Sequence, residues 1–280
     1  MKTKKVLSVL LAAVLVMLTF SSCSLTKTGP EYKEIDGTVG LYRYKSVSTE
    51  TEFVIPDTYN GKKVTQIMAF GLANAEYLKT ISIGKNIEKI DVWALTNMPV
   101  LEKITVAEDN PNFKSVDGVL YNKDMTAVLA YPNGKTPLQK DKKDKIIGGG
   151  AFAVPDTVTE IGENAFYLCS NIVEVKFNSG LKKIGNKAFL KCINLRKIDL
   201  PDTVTEIGND AFSYCNSVKK LEIPSSVKSI GDYGFFSTAS KIKKVVVHNE
   251  EKNLKLGKDW LPNMERNVRK KVAVVFRPAK

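Results

Sequence analysis

Residues 200–215 read LPDTVTEIGNDAFSYC, and this stretch returns along the chain at a fixed interval. Ile161, Ile184, Ile207 and Ile230 stand 23 residues apart, each followed by Gly162, Gly185, Gly208 or Gly231. Four residues beyond each Ile come Ala165, Ala188, Ala211 and Gly234, and next to them Phe166, Phe189, Phe212 and Phe235. The register continues backward in weaker form. Ile67 and Ile90 share the spacing, with Gly71-Leu72 and Ala94-Leu95 at the Ala-Phe positions. A period in this range means a stacked array, because one unit cannot bury its own apolar face while several stacked units can.

Each unit divides in two. Ala165, Phe166 and Cys169 have offsets that place them on one face of a short helix. The second half reads apolar-x-x-apolar-x-apolar, as in Leu195, Ile198, Leu200 and in Val218, Leu221, Ile223. Its alternating end predicts a half-buried strand, closed by Pro201 or Pro224, which have no N–H to donate. The expected fold is an α/β repeat: a solenoid with a parallel sheet on one face and short helices opposite.

The Leu-x-x-Leu-x-Leu core with Val-x-x-Ile-Gly-x-x-Ala-Phe-x-x-Cys closely resembles the BspA-like class of bacterial surface leucine-rich repeats. The resemblance spans residues 50–250. In that class Pro stands where other leucine-rich repeats carry an Asn ladder. The resemblance implies a surface-exposed, non-catalytic binding or adhesion module with no catalytic residues to carry over.

The solenoid is assigned to residues 67–248, with an insert at 107–153. Val116–Tyr121 and Ala127–Tyr131, joined by 122–126, predict one β-hairpin. Lys135, Lys140, Lys142, Lys143 and Lys145, mixed with Asp141 and Asp144, predict a solvated, protease-sensitive loop. Residues 31–66 read as an N-terminal β cap and 249–280 as a C-terminal cap, in which Trp260, Leu261 and the run from Lys271 to Arg277 cover the open end.

Hydrophobic residues at 43% and charged residues at 26% exclude a disordered chain, and four Cys exclude a disulfide-dense scaffold. Lys2, Lys4 and Lys5 precede an apolar run from Val6 to Phe20, so residues 1–22 read as a secretory signal. Phe20-Ser21-Ser22-Cys23 resembles a lipobox, which implies lipidation at Cys23, a tether over 23–30 and attachment to a membrane through the lipid. The formal charge is +12, and losing the signal removes three Lys and no acid, leaving about +9. Export argues against nucleic acid as the partner. Anionic glycans, wall polymers or host proteins fit the charge better.

Cys169, Cys192 and Cys215 share the period, and Ala75 and Met98 occupy the same slot earlier, so this is a ladder of small buried residues. A stack does not converge on one point as metal ligation demands, and no metal or cofactor is expected. Gly148-Gly149-Gly150 lacks the Lys-Ser/Thr of a phosphate loop and reads as backbone entering a strand. His248, the single His, reads as a surface residue at a strand end.

The patterned surface is the outer face of the strands, where equivalent residues of neighbouring units form columns roughly 4.8 Å apart. One column holds Thr80, Lys103, Glu174, Lys197, Lys220 and Lys244. Beside it run Lys79, Glu102, Val173, Arg196, Lys219 and Lys243, and on the other side Ser82, Thr105, Lys176, Asp199, Glu222 and Val246. Lys103, Lys176, Arg196, Lys197, Lys219, Lys220, Lys243 and Lys244 are therefore the candidate ligand contacts. The same face also serves as solubilising charge in a structural envelope protein without a dedicated ligand. An accessory role to an envelope hydrolase is a third reading, although no separate catalytic domain stands outside the repeats.

Overall fold

The computed structural model describes residues 28–45, 47–238, 242, 244–261 and 273–277. The expected signal, Cys23 and Lys243 lie outside them. The chain winds into a solenoid in which a regular turn supplies one strand to each of two parallel ladders. In the first ladder the strands are two residues long: Glu160–Ile161, Lys183–Ile184, Glu206–Ile207, Ser229–Ile230 and Lys255–Leu256 pair in parallel, Ile over Ile until Leu256. The second ladder uses longer strands, Glu52–Val54, Thr80–Ile83 and Lys103–Val106 near one end and Leu221–Ile223, Lys244–Val247 and Ala273–Phe276 near the other. At the N-terminal end the first ladder starts with Thr38–Lys45, paired in parallel with Lys62–Ile67, which in turn pairs with Lys89–Ile90.

No α-helix occurs among the described residues, which corrects the expected short helices. The Ala-Phe-x-x-Cys segment is a run of tight turns. Asn164 and Leu168 have φ of 59° and 61°, and Lys187/Lys191 and Asp210/Tyr214 repeat this one and two turns later. A positive φ every fourth residue cannot propagate a right-handed helix. The N–H groups bond to the next turn instead: Phe166 N donates to Ala188 O at 2.8 Å and Leu168 N to Leu190 O at 2.9 Å. The offsets i, i+1 and i+4 suit this geometry as well as a helix, so spacing alone did not separate them.

The Gly after each Ile follows from the same close stacking. A Cβ on Gly185 would lie 2.8 Å from the Glu163 backbone N, and one on Gly208 2.6 Å from that of Asn186. Inside the turns Tyr131, Phe166, Phe189, Phe212 and Phe235 form one continuous ring stack with centroids 4.7–5.2 Å apart. The four Phe are fully buried.

The insert is more regular than the sequence implies. Phe113–Val116, Val119–Asn122 and Ala127–Ala130 form an antiparallel meander, so the stretch expected as one strand turns at Asp117-Gly118, both with positive φ. Asp-Gly is a two-residue hairpin signal. Ala127–Ala130 then pairs in parallel with Glu160–Ile161, which joins the meander to the C-terminal part of the first ladder, while Lys89–Ile90 belongs to a separate N-terminal sheet. Because side chains alternate across a strand, this meander parts two cores. Leu120 and Ala130 pack with the N-terminal cluster, whereas Val119, Tyr121, Val128 and Tyr131 pack with the C-terminal one. The Lys-rich segment is a short hairpin rather than an open loop, with Gln139–Lys140 against Ile146–Gly148. Gly150 opens the strand Gly150–Ala153, and a Cβ on Gly149 would lie 2.8 Å from Asn171 O.

Candidate functional site

Strand register decides which candidate residues meet. Lys103 pairs with Thr80, and the isolated bridge of Ile198 to Leu221 with the pairing of Leu221 to Val245 sets Lys197, Lys220 and Lys244 at equivalent positions on three successive turns. Lys176 pairs with Ala153, on a separate two-stranded stretch. Lys103, Lys176, Lys197, Lys219, Lys220 and Lys244 are exposed. The final strand adds Ala273 beside Lys244 and Val275 beside Val246, and brings Arg277 next to His248 at the end of the row.

The stripe is not uniformly basic. Lys197 pairs with Asp199, and Lys220 Nζ meets Glu222 Oε1 at 2.9 Å, each acid two residues on and so on the same face. The bond to Glu222 raises the Lys220 pKa, and that bond, joined by His248, holds Glu222 below the usual carboxylate range. His248 Nε2 lies 3.6 Å from Glu222 Oε2. These two residues are 26 apart in sequence, so no local motif joins them; aligning Pro201, Pro224, His248 and Arg277 as a column would have found both His248 and Arg277. Arg196 is exposed but committed elsewhere, since its guanidinium donates to Ile146 O at 2.8 Å and ties the Lys-rich hairpin to the stack.

Together Lys197, Lys220, Glu222, His248 and Arg277, with Asp202 at the edge, line an open groove of about 710 Å³. Such a surface suits exchange of its internal ion pairs for the charges of a ligand. Exposed ion pairs are screened by solvent and hold each other weakly, so this exchange has a low cost.

The Cys ladder is interior. Cys192 Sγ donates to Phe166 O at 3.1 Å and Cys215 Sγ to Phe189 O at 3.2 Å. Thr238 takes the slot one turn later and donates to Phe212 O, while accepting from Cys215 N at 3.2 Å. In the C-terminal turns the slot thus holds a small donor as well as a small volume, which the apolar reading of the sequence missed, whereas Ala75 and Met98 fill it without one. Burial pushes the thiols of Cys169, Cys192 and Cys215 above their ordinary range, so they stay protonated and weakly nucleophilic. Among the described residues no group of three or more His, Cys, Asp or Glu side chains is placed to hold a metal ion.

A sequence profile of the BspA type leucine-rich repeat region matches six copies, over residues 37–124 and 150–258. This is well over half the chain, which therefore belongs to the BspA type leucine-rich repeat family. The break at 125–149 falls where the meander ends and the Lys-rich hairpin follows. No curated protein matches the chain significantly. Among solved structures it is similar to a leucine-rich repeat protein from Eubacterium ventriosum, with 24% identity, 78% of this chain and 60% of that one covered, and a TM-score of 0.56. It is also similar to the pneumococcal vaccine antigen PcpA, at 18% identity, 84% of each chain and a TM-score of 0.54. A third is a leucine-rich cell surface protein from Faecalibacterium prausnitzii, at 21% identity, 78% and 61% coverage and a TM-score of 0.54. At these identities the likeness is one of fold, and the chain spans about 60% of the length of the first and third.

Proposed function

We propose that this chain is a non-catalytic binding module displayed at the cell surface, which takes an extended, anionic partner along the second ladder. The observation that carries this reading is the row Lys197, Lys220 and Lys244 on three neighbouring turns, running into the groove that holds His248 and Arg277. Regularly spaced cations on a stiff sheet match a polymer with regularly spaced anions, such as a glycan, a wall polymer or an acidic host protein. Surface display is supported by the family, by the neighbour described as a cell surface protein and by the exported look of residues 1–22. In this proposal a lipid on Cys23 is the anchor. Mass spectrometry of the mature N-terminus tests it, and an unmodified start at another residue overturns it.

The binding test is Lys197, Lys220 and Lys244→Glu, checked for fold by circular dichroism and for retention on purified wall polymer or a sulfated glycan. Parent binding should fall steeply with salt, because exposed charges are screened over roughly 8 Å at physiological ionic strength. The folded variant should lose retention. Equal binding by both proteins removes this face from the function. One observation favours the structural reading without a ligand: Lys197 and Lys220 already have acidic partners. Absence of saturable binding across a glycan and host-protein array would select it.

A further inference from the structure

The groove at the C-terminal end of the charged row is balanced in its permanent charges. Lys197, Lys220 and Arg277 line it as cations, and Asp199, Asp202 and Glu222 line it as acids. The remaining ionisable group in the lining is His248, the single His of the chain. A neutral imidazole therefore leaves the groove without net charge, and one proton on it makes the groove cationic. Imidazole is the side chain whose ordinary titration falls between pH 5 and 8.

The surroundings of His248 show what that proton changes. The strand before it, Lys244–Val247, lies between Leu221–Ile223 and Ala273–Phe276. From the first neighbour, Glu222 Oε2 stands 3.6 Å from His248 Nε2, while Glu222 Oε1 is held by Lys220 Nζ at 2.9 Å. From the second comes Arg277, whose backbone N donates to Val247 O beside the imidazole. Asp199 and Asp202 reach the groove from one turn further back, where Asp199 is paired with Lys197. On its own segment the charged residues are Lys244, which is exposed, and Glu250, which pairs with Lys252 at 2.7 Å. The His248 and Glu222 side chains are 40% and 44% exposed, so solvent and a ligand reach both.

With His248 neutral, Glu222 cancels Lys220, and an arriving anion must compete with that carboxylate. With His248 protonated, Glu222 is shared between two cations and the groove has a positive charge to spare. The bond from Lys220, joined by His248, keeps the Glu222 carboxyl below the usual carboxylate range, so the acid stays ionised while the imidazole titrates.

We propose that His248, Arg277 and Lys220 form a subsite for one oxyanion group of the partner, and that a proton on His248 controls its occupancy. This rests on the anionic partner proposed above and adds to it a preference for mildly acidic surroundings. Affinity rises as pH falls through the imidazole range, because the ligand favours the charged form. The coupling is reciprocal, so the bound anion raises the pH at which His248 titrates.

The test uses the purified, untagged chain with dextran sulfate at one ionic strength, and uncharged dextran as the control. One unit charge a few ångströms from an anion in water-like surroundings gives roughly a fivefold preference for the protonated form. Binding should then be about threefold tighter at pH 5.5 than at pH 7.5. His248→Gln should lose this difference. Glu222→Gln takes one acid out of the balance and should bind more tightly than the parent at pH 7.5. A further readout needs no variant, since the only His gives a single imidazole signal in NMR. Saturating dextran sulfate should raise its midpoint by about 0.7 of a pH unit, the counterpart of a fivefold preference. Equal parent binding at the two pH values, a pH difference kept in His248→Gln, or an imidazole midpoint that the polymer leaves in place overturns this inference alone. No binding of dextran sulfate at either pH overturns the anionic reading of the face together with it.

Discussion

The rings of Phe189 and Phe212 lie 5.1 Å apart and within 1° of parallel, although 23 residues separate them in sequence. Each ring is the wall against which the next turn packs, so neither turn has a complete core without the other. Phe212→Ala should cost roughly 3–5 kcal/mol through lost burial and the cavity left behind. Denaturant unfolding measures this, and a midpoint equal to that of the parent would contradict the ring stack.

Gly208 sets the spacing of the turns. Gly208→Ala places a methyl 2.6 Å from the Asn186 backbone N, where backbone and not a flexible side chain must yield. A loss of about 1–3 kcal/mol is expected, as for other overpacked sites. Gly61→Ala provides a contrast, since nothing lies within 4 Å of the added carbon and only its positive φ opposes the change. Melting curves of the two variants separate crowding from backbone strain.

The Cys ladder predicts alkaline weakness. An unfolded thiol ionises near 9.0, whereas burial holds the folded Cys169, Cys192 and Cys215 protonated to higher pH. Above the unfolded value the unfolded chain binds fewer protons than the native one, so stability falls as pH rises from about 9 toward the folded values. Each thiol contributes a slope of about 1.4 kcal/mol per pH unit in that window. Ser in all three positions keeps the donor to the preceding carbonyl and should flatten the decline. Thermal melts of parent and triple variant between pH 8 and 11 decide the matter, and identical slopes would show that the thiols do not contribute.

Arg196 should guard the Lys-rich hairpin. Its bond to Ile146 O spans 50 residues of sequence. Arg196→Ala should raise the rate of tryptic cleavage at Lys142 and Lys143 while leaving the melting temperature of the stack within about 0.5 kcal/mol equivalent, as expected for an exposed site. Unchanged cleavage would mean that the hairpin holds its place without this contact.

Positions that recur in every turn were legible because each copy repeats the same contact. Ile184, Gly185 and Phe189 could be read from spacing alone. The first ladder was hidden, since a two-residue strand such as Glu206–Ile207 is too short to show alternation. The absence of helices was hidden for another reason: positive φ at Leu168 and Tyr214 falls on residues that seldom adopt it, and only contact with the next turn fixes it there. The Glu222–His248 contact depends on strand register across the C-terminal turns.

The meander that sends Leu120 one way and Val119 the other also bears on how such an array changes over generations. Recombination between like copies removes or adds whole units of 23 residues. Joining Gly185 to Asn209, for example, keeps Ile in the ladder and Phe in the ring stack, with Ile184 now followed by the old partner of Ile207. Events of this kind stay on one side of residues 113–131, where the wall belongs to both cores and has no second copy to recombine with. Array length can thus change within the C-terminal stack while the wall shared by both cores is left intact.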